Sequence, residues 1–157
     1  MIYNLVKEKN VKGVFCVPKF SNPTGTVYDD ATVSRIAKLG QVASDDFRII
    51  WDNAYAVHDH YQFEDIPNIM NYAIEYNTEN TVMILGSTHA GSGISFLGAS
   101  ATNIKSITSH LDVFRICPNK VNQLRHTKFL PNLQSVHTLM QKHAIIIRPK
   151  FDIVNKI

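Results

Sequence analysis

The sequence predicts an α/β protein: a three-layer αβα arrangement around a mainly parallel sheet, followed by C-terminal helices. Three observations carry this expectation. Short apolar runs alternate with stretches of helical periodicity, the pattern of strands joined by crossover helices. The runs are near-continuously apolar, as strands are when both faces of a sheet are covered. Polar, turn-forming residues follow three of the runs, at the carboxyl ends where open α/β sheets place their ligands.

Each element follows in order. Gly13 to Pro18 (Gly-Val-Phe-Cys-Val-Pro) reads as a buried strand. Ser21-Asn-Pro-Thr-Gly25 is dense turn chemistry. Asp29 or Asp30 can cap a helix running to about Val42, with Val33, Ile36, Ala37 and Gly40 on one face. Phe47 to Trp51 reads as a second buried strand, ending at Asp52. Asp65 through Tyr76 is predicted helical, with Ile66, Ile69, Met70, Ala73 and Ile74 spaced for one buried side. Thr81 to Leu85 is a third strand and Gly93 to Gly98 a fourth. Helices are predicted at 102–111, 119–130 and 132–156, with Pro118 and Pro131 marking two of their starts.

Composition narrows the function classes. The 157 residues are 45% hydrophobic and 18% charged, which is the make-up of an ordinary soluble globular protein. No apolar run approaches the roughly 20 residues that span a membrane. Met1 to Lys12 is polar and has no apolar signal core, so secretion is not expected. Cys16 and Cys117 are too few and too far apart for a disulfide framework or a zinc ligand set, and point to a reducing cytoplasm. The net charge of +3 hides an asymmetry. Residues 1–101 carry 7 Lys/Arg against 11 Asp/Glu, a net of −4, and residues 102–157 carry 9 against 2, a net of +7. Lysine is absent from Leu39 through Ile104.

The strand ends carry a recognisable set of motifs. They are the Asn-Pro-Thr-Gly turn at 22–25, the Asp-x-Ala-Tyr segment at Asp52-Asn-Ala-Tyr55, and Gly86-Ser-Thr88 after the third strand. With Asn119 to His126 and His143 to Phe151, they resemble the fold-type I, pyridoxal-phosphate (PLP) dependent aminotransferases, in particular a bacterial aspartate- or alanine-type branch. The resemblance extends over nearly the whole chain. It implies PLP as cofactor and amino-group transfer between an amino acid and a 2-oxo acid. It also implies cofactor-binding roles for four residues. Asp52 would face the pyridine nitrogen and keep it protonated. Asn22 and Tyr55 would hydrogen-bond the ring's phenolic oxygen, and Ser87 would contact the phosphate. Pro23 and Gly25 would shape the turn that presents Asn22. Without the resemblance, Asp52 reads as a strand-end cap and Tyr55 as a core aromatic.

One residue of that family pattern is missing. Relatives carry a Schiff-base lysine just after the third strand, which holds the cofactor covalently and shuttles a proton. Here the segment reads Gly86-Ser-Thr-His-Ala-Gly-Ser-Gly-Ile-Ser-Phe96, shorter by a few residues and without a lysine. His89 stands near the vacant position and can carry protons but cannot attach PLP. The nearest lysines, Lys38 and Lys105, belong to other elements. No catalytic residue is therefore assigned.

The chain also reads as an internal stretch of such an enzyme, with residues 1–130 a partial large domain and 131–157 a helix leading towards a small domain. None of Arg115, Arg125 and Arg148 matches the family's substrate-binding arginine. Arg125 and Arg148 read instead as structural or interface residues. The expected function is that of a truncated and inactive aminotransferase. The alternative is a non-catalytic module that keeps the fold and binds a partner, or holds PLP or pyridoxamine phosphate non-covalently. A remnant sheet leaves an edge and apolar surface uncovered, so a homo-oligomer or self-association is expected. Other constellations carry less. His58-Asp59-His60 offers ligand atoms without a third partner, so no metal is expected. The basic C-terminal third comes with no nucleic-acid motif, and neither nucleic acid nor a membrane is an expected partner.

Overall fold

Four strands form one sheet in the order β1 (Gly13–Cys16), β2 (Arg48–Asp52), β3 (Val82–Ser87), β4 (Ser95–Ala99). The computed structural model describes residues 2–62, 64–87 and 93–156. Six α-helices accompany the sheet among these residues: α1 (Ile2–Leu5), α2 (Asp30–Ala37), α3 (Ile69–Glu75), α4 (Ala101–Phe114), α5 (Lys120–Phe129) and α6 (Leu133–Val154). The expected α/β class and mainly parallel sheet are both present. β1 runs parallel to β2, with Gly13 opposite Arg48 and Cys16 opposite Trp51. β2 runs parallel to β3, with Ile49 opposite Val82 and Asp52 opposite Leu85. β4 returns antiparallel on β3, pairing Ser87 with Ser95 and Met83 with Ala99.

The first three strands form in short apolar runs rich in Val and Ile, and their pleat sorts the side chains onto two faces. One face carries Cys16, Ile49, Trp51 and Val82, all buried, and packs with Val33 and Ala37 of α2 and Ile69 and Ala73 of α3. Burying side chains of this size contributes roughly 1.5–3 kcal/mol each. Cys16 is buried enough that its thiol is pushed up to about 11, so it behaves as an apolar core residue.

The opposite face corrects the expectation of strands covered on both sides. By register it carries Phe15, Ile50, Met83, Leu85 and Leu97. Phe15 is 61% exposed and the other four are only half-buried. β4 also departs from the buried strand the sequence predicts, since Phe96 on it is exposed. An apolar run specifies a strand without specifying that a second layer covers it.

Helix boundaries follow their caps. Asp29 caps α2, its carboxylate accepting from the Thr32 N–H at 2.8 Å. The α-helix ends at Ala37 and tightens into a 3₁₀ turn at Lys38–Gln41, so the predicted helix to Val42 is two pieces. α3 starts four residues later than predicted, because Pro67 disfavours helical geometry at Ile66 and Asn68 supplies the cap. Asn119 caps α5 and Asn132 caps α6, the latter in a reciprocal arrangement with Ser135. The C-terminal helices lie close to their predicted limits, yet Val113, Phe114, Ile116 and Val121 remain exposed.

One position tests the strand pairing directly. A Cβ added at Gly13 would lie 2.5 Å from the Arg48 backbone oxygen, inside the β1–β2 ladder. Gly13→Ala is expected to destabilise the chain by roughly 1–3 kcal/mol in urea unfolding. Gly98→Ala, whose Cβ would meet Ile84 at an ordinary 3.7 Å, should stay within about 0.5 kcal/mol of the parent.

Candidate functional site

The parallel strands bring two of the sequence-predicted residues to one edge of the sheet. Asp52 is the last residue of β2, and Ser87 the last of β3. Register places Asp52 beside Leu85, two residues before Ser87, so both point to the incompletely covered face. Asn22 lies in the turn that follows β1. Three adjacent carboxyl ends therefore contribute one polar residue each, and Tyr55 follows Asp52 by three residues.

Local bonding shapes each contributor. The Asp52 carboxylate is half-buried and accepts from the Ala54 N–H at 3.2 Å, while the Asn53 N–H donates to the Leu85 carbonyl at 2.8 Å. These two bonds carry the chain out of β2 into a tight turn, where the Ala56 N–H donates to Asn53 and the His58 N–H to Tyr55. Tyr55 is 39% exposed and sets its ring edge-on to His58, with centroids 6.2 Å apart. It is thus available to a ligand, unlike a core aromatic. Asn22 is exposed in a turn closed by the Gly25 N–H donating to the Ser21 carbonyl at 2.6 Å and by Ser21 and Thr24 hydroxyls 2.8 Å apart. Gly25 takes φ +67, a conformation that suits glycine. Its preceding Asn22–Pro23 bond is cis. The Asn53 side-chain carbonyl is buried beside these groups with no hydrogen-bond partner among the described residues.

A cleft of about 720 Å³ opens next to Tyr55, between the loop at 55–64 and α6, and is lined by Phe20, His58, His60 and Phe151 among others. α6 is tied to this loop by Arg148, whose Nε donates to the His60 carbonyl at 2.6 Å, and by the Tyr61 hydroxyl on Asp152, also 2.6 Å. Arg148 therefore acts on the fold. Among the described residues no group of three or more His, Cys, Asp and Glu is placed to hold a metal. Asp59 of the His58-Asp59-His60 run is instead engaged by Lys19. His89, near the vacant lysine position, lies outside the described residues.

Sequence reasoning passed over Lys19. Its side chain is 1% exposed, and its ammonium lies 2.7 Å from Asp59 Oδ1 and 2.9 Å from Oδ2. It also donates to the Glu64 carbonyl at 2.6 Å and to that of Ala56 at 3.3 Å. A lysine before a turn reads as solvated, and an acceptor forty residues away leaves no local pattern.

A mainly parallel sheet flanked by helices defines an α/β protein, with a carboxylate and a hydroxyl at two adjacent strand ends and an amide in the turn after a third. The chain belongs to the aspartate amino-transferase family, whose model matches residues 1–157. It is 38% identical over 161 residues to an aspartate aminotransferase of Corynebacterium glutamicum, covering 99% of this chain. It is 39% identical over 158 residues, or 98% of its length, to a Mycolicibacterium smegmatis protein named at the level of aminotransferase. The chain spans 37% of the length of each of these curated relatives. A solved structure of an aspartate transaminase from Corynebacterium glutamicum superposes with a TM-score of 0.94 at 38% identity, covering 99% of this chain and 38% of that one. The family and the fold expected from the motifs are thereby established.

Proposed function

We propose that this chain forms the ring-facing part of a PLP site of aspartate-aminotransferase type, and that by itself it binds PLP or pyridoxamine phosphate without transaminating. The observation that supports the first part is the placement of Asp52 and Ser87 at the carboxyl ends of adjacent strands, with Asn22 in the turn after β1 and Tyr55 in the turn after β2. The donor set fits the cofactor, with a carboxylate suited to a ring nitrogen, a phenol and an amide suited to a phenolate, and a hydroxyl suited to a phosphate. When bound, PLP supplies an electron-withdrawing pyridine ring that stabilises negative charge on a substrate carbon. Asp52 holds the proton at the ring nitrogen. Asn22 and the exposed phenol of Tyr55 would donate to the phenolic oxygen. Ser87 donates to the phosphate.

The second part rests on residues 39–104, which contain no lysine. The side chain that would hold the cofactor covalently and move the substrate proton is therefore missing where β3 delivers it in relatives. Amino acids and 2-oxo acids are the substrates of the family reaction, and this chain is their partner only in so far as it shares that site. We place the protein in the cytoplasm, since both cysteines are free thiols and no helix among the described residues is long and apolar enough to cross a membrane. Residues 1–130 are assigned to the large domain and 131–157 to a helix leading to the small one.

Titrating the purified chain with PLP should give a saturable absorbance change, and Asp52→Ala should weaken it roughly tenfold or more, the loss of a charge-assisted hydrogen bond. Borohydride treatment followed by mass spectrometry should leave no stoichiometric pyridoxyl adduct. Turnover of an amino acid with a 2-oxo acid, or such an adduct, overturns the non-catalytic part, and an unsaturable titration overturns the ligand part.

Self-association belongs to the same reading. It is supported by the open sheet face around Phe15 and by the exposed apolar residues of α4 and α5. Sedimentation velocity should show species larger than the 17.7 kDa chain at micromolar concentration, whereas a strictly monomeric boundary excludes it.

A further inference from the structure

We propose that the buried Lys19 ammonium is a positioning group for the candidate site, cross-linking the turn that presents Asn22 to the loop that follows Tyr55. This rests on the site reading above and adds a residue to it that touches no ligand. Lys19 stands three residues before Asn22. Its ammonium meets the carbonyls of Ala56 and Glu64 and both carboxylate oxygens of Asp59, all in the segment beginning one residue after Tyr55. Asp59 Oδ1 also accepts from the Glu64 N–H at 3.2 Å, so the carboxylate closes its own loop while it holds the lysine.

An ammonium has three donors, and the two backbone carbonyls and the carboxylate give each of them an acceptor. The geometry matters because apolar contacts are non-directional, whereas charge-assisted hydrogen bonds fix distance and angle together. Removing a charge of this kind from water is costly, and a hydrophobic residue would fill the same space without that cost. It would also leave the Ala56 and Glu64 carbonyls and the Asp59 carboxylate without their cation. Lys19 thus does what packing alone does not. It joins two loops, one carrying Asn22 and one leaving Tyr55, at a fixed separation. Phe20, whose ring lies 5.3 Å from the ammonium, and Tyr55 then share the lining of the cleft beside the site.

The test uses the ¹⁵N-labelled full chain with Lys19→Met and Asp59→Asn, read by NMR relaxation, thermal melting and pyridoxamine 5′-phosphate titration well below the melting midpoint. Positioning predicts increased mobility at the amides of Ser21, Asn22 and Thr24 and of Tyr55 to Gln62, unchanged amides at Ile49 and Val82, and a dissociation constant raised by about tenfold. A folded variant whose two loops keep their parent relaxation overturns the proposal. So does weakened binding without a change in the loops. If Lys19→Met fails to fold, Asp59→Asn, which keeps the shape and an acceptor, carries the measurement. Global unfolding of both marks a purely stabilising contact and also overturns it. If the parent chain does not bind pyridoxamine phosphate, the site reading fails, while the relaxation data still decide whether Lys19 couples the loops.

Discussion

The pairing of β2 on both of its sides is the constraint from which the functional edge is built. β1 and β3 flank it in parallel register, and Ile49 and Trp51 on its inner face meet the helices with almost no exposure. Period-2 alternation then forces Ile50 and Asp52 to the other face. A one-residue slip would bury Asp52 in the helical layer and expose Ile49 and Trp51, so register is strongly specified. Because the neighbours are parallel, their carboxyl ends fall on the same edge, and whatever follows each strand is brought together there. The candidate site is a consequence of topology before it is a consequence of any side chain.

Topology leaves the loops beyond those ends to be organised separately. The turn after β1 is closed by its own hydrogen bonds, and the turn after β2 by backbone bonds from Ala56 and His58. Neither set joins one loop to the other. The Lys19–Asp59 pair does, in a place where water is excluded and breaking one partner costs about 3–5 kcal/mol. α6 adds a second anchor through Arg148 and Asp152 on the neighbouring residues His60 and Tyr61. The C-terminal third therefore reaches back to the strand half through these two contacts.

Most of the framework was legible in the sequence because it depends on local signals. Apolar runs marked the strands, Asp29 marked the start of α2 as a cap, and Pro118 and Pro131 marked the starts of α5 and α6 to within two residues. The placement of Asp52 and Ser87 on one edge followed from their positions at the ends of two apolar runs expected to lie parallel. What escaped depends on partners distant in sequence. Nothing in Ser95–Ala99 distinguishes an antiparallel edge strand from a buried parallel one, and the exposure of Phe96 follows from what does not cover it. Lys19 escaped for the same reason, since its burial is decided by a loop forty residues on. Pro67 was visible, and weighing it against the apolar spacing of Ile66 to Ile74 would have placed the start of α3 correctly.

A chain with no lysine between residues 39 and 104 still presents the edge proposed to hold the cofactor. A crystal structure of this chain grown with pyridoxamine 5′-phosphate tests it most directly. The account predicts the ring beyond the ends of β1, β2 and β3, with its nitrogen within hydrogen-bond distance of Asp52 and its phenolic oxygen facing Asn22 and Tyr55. A ring bound elsewhere, or a well-ordered site edge with no ligand at saturating concentration, would contradict it.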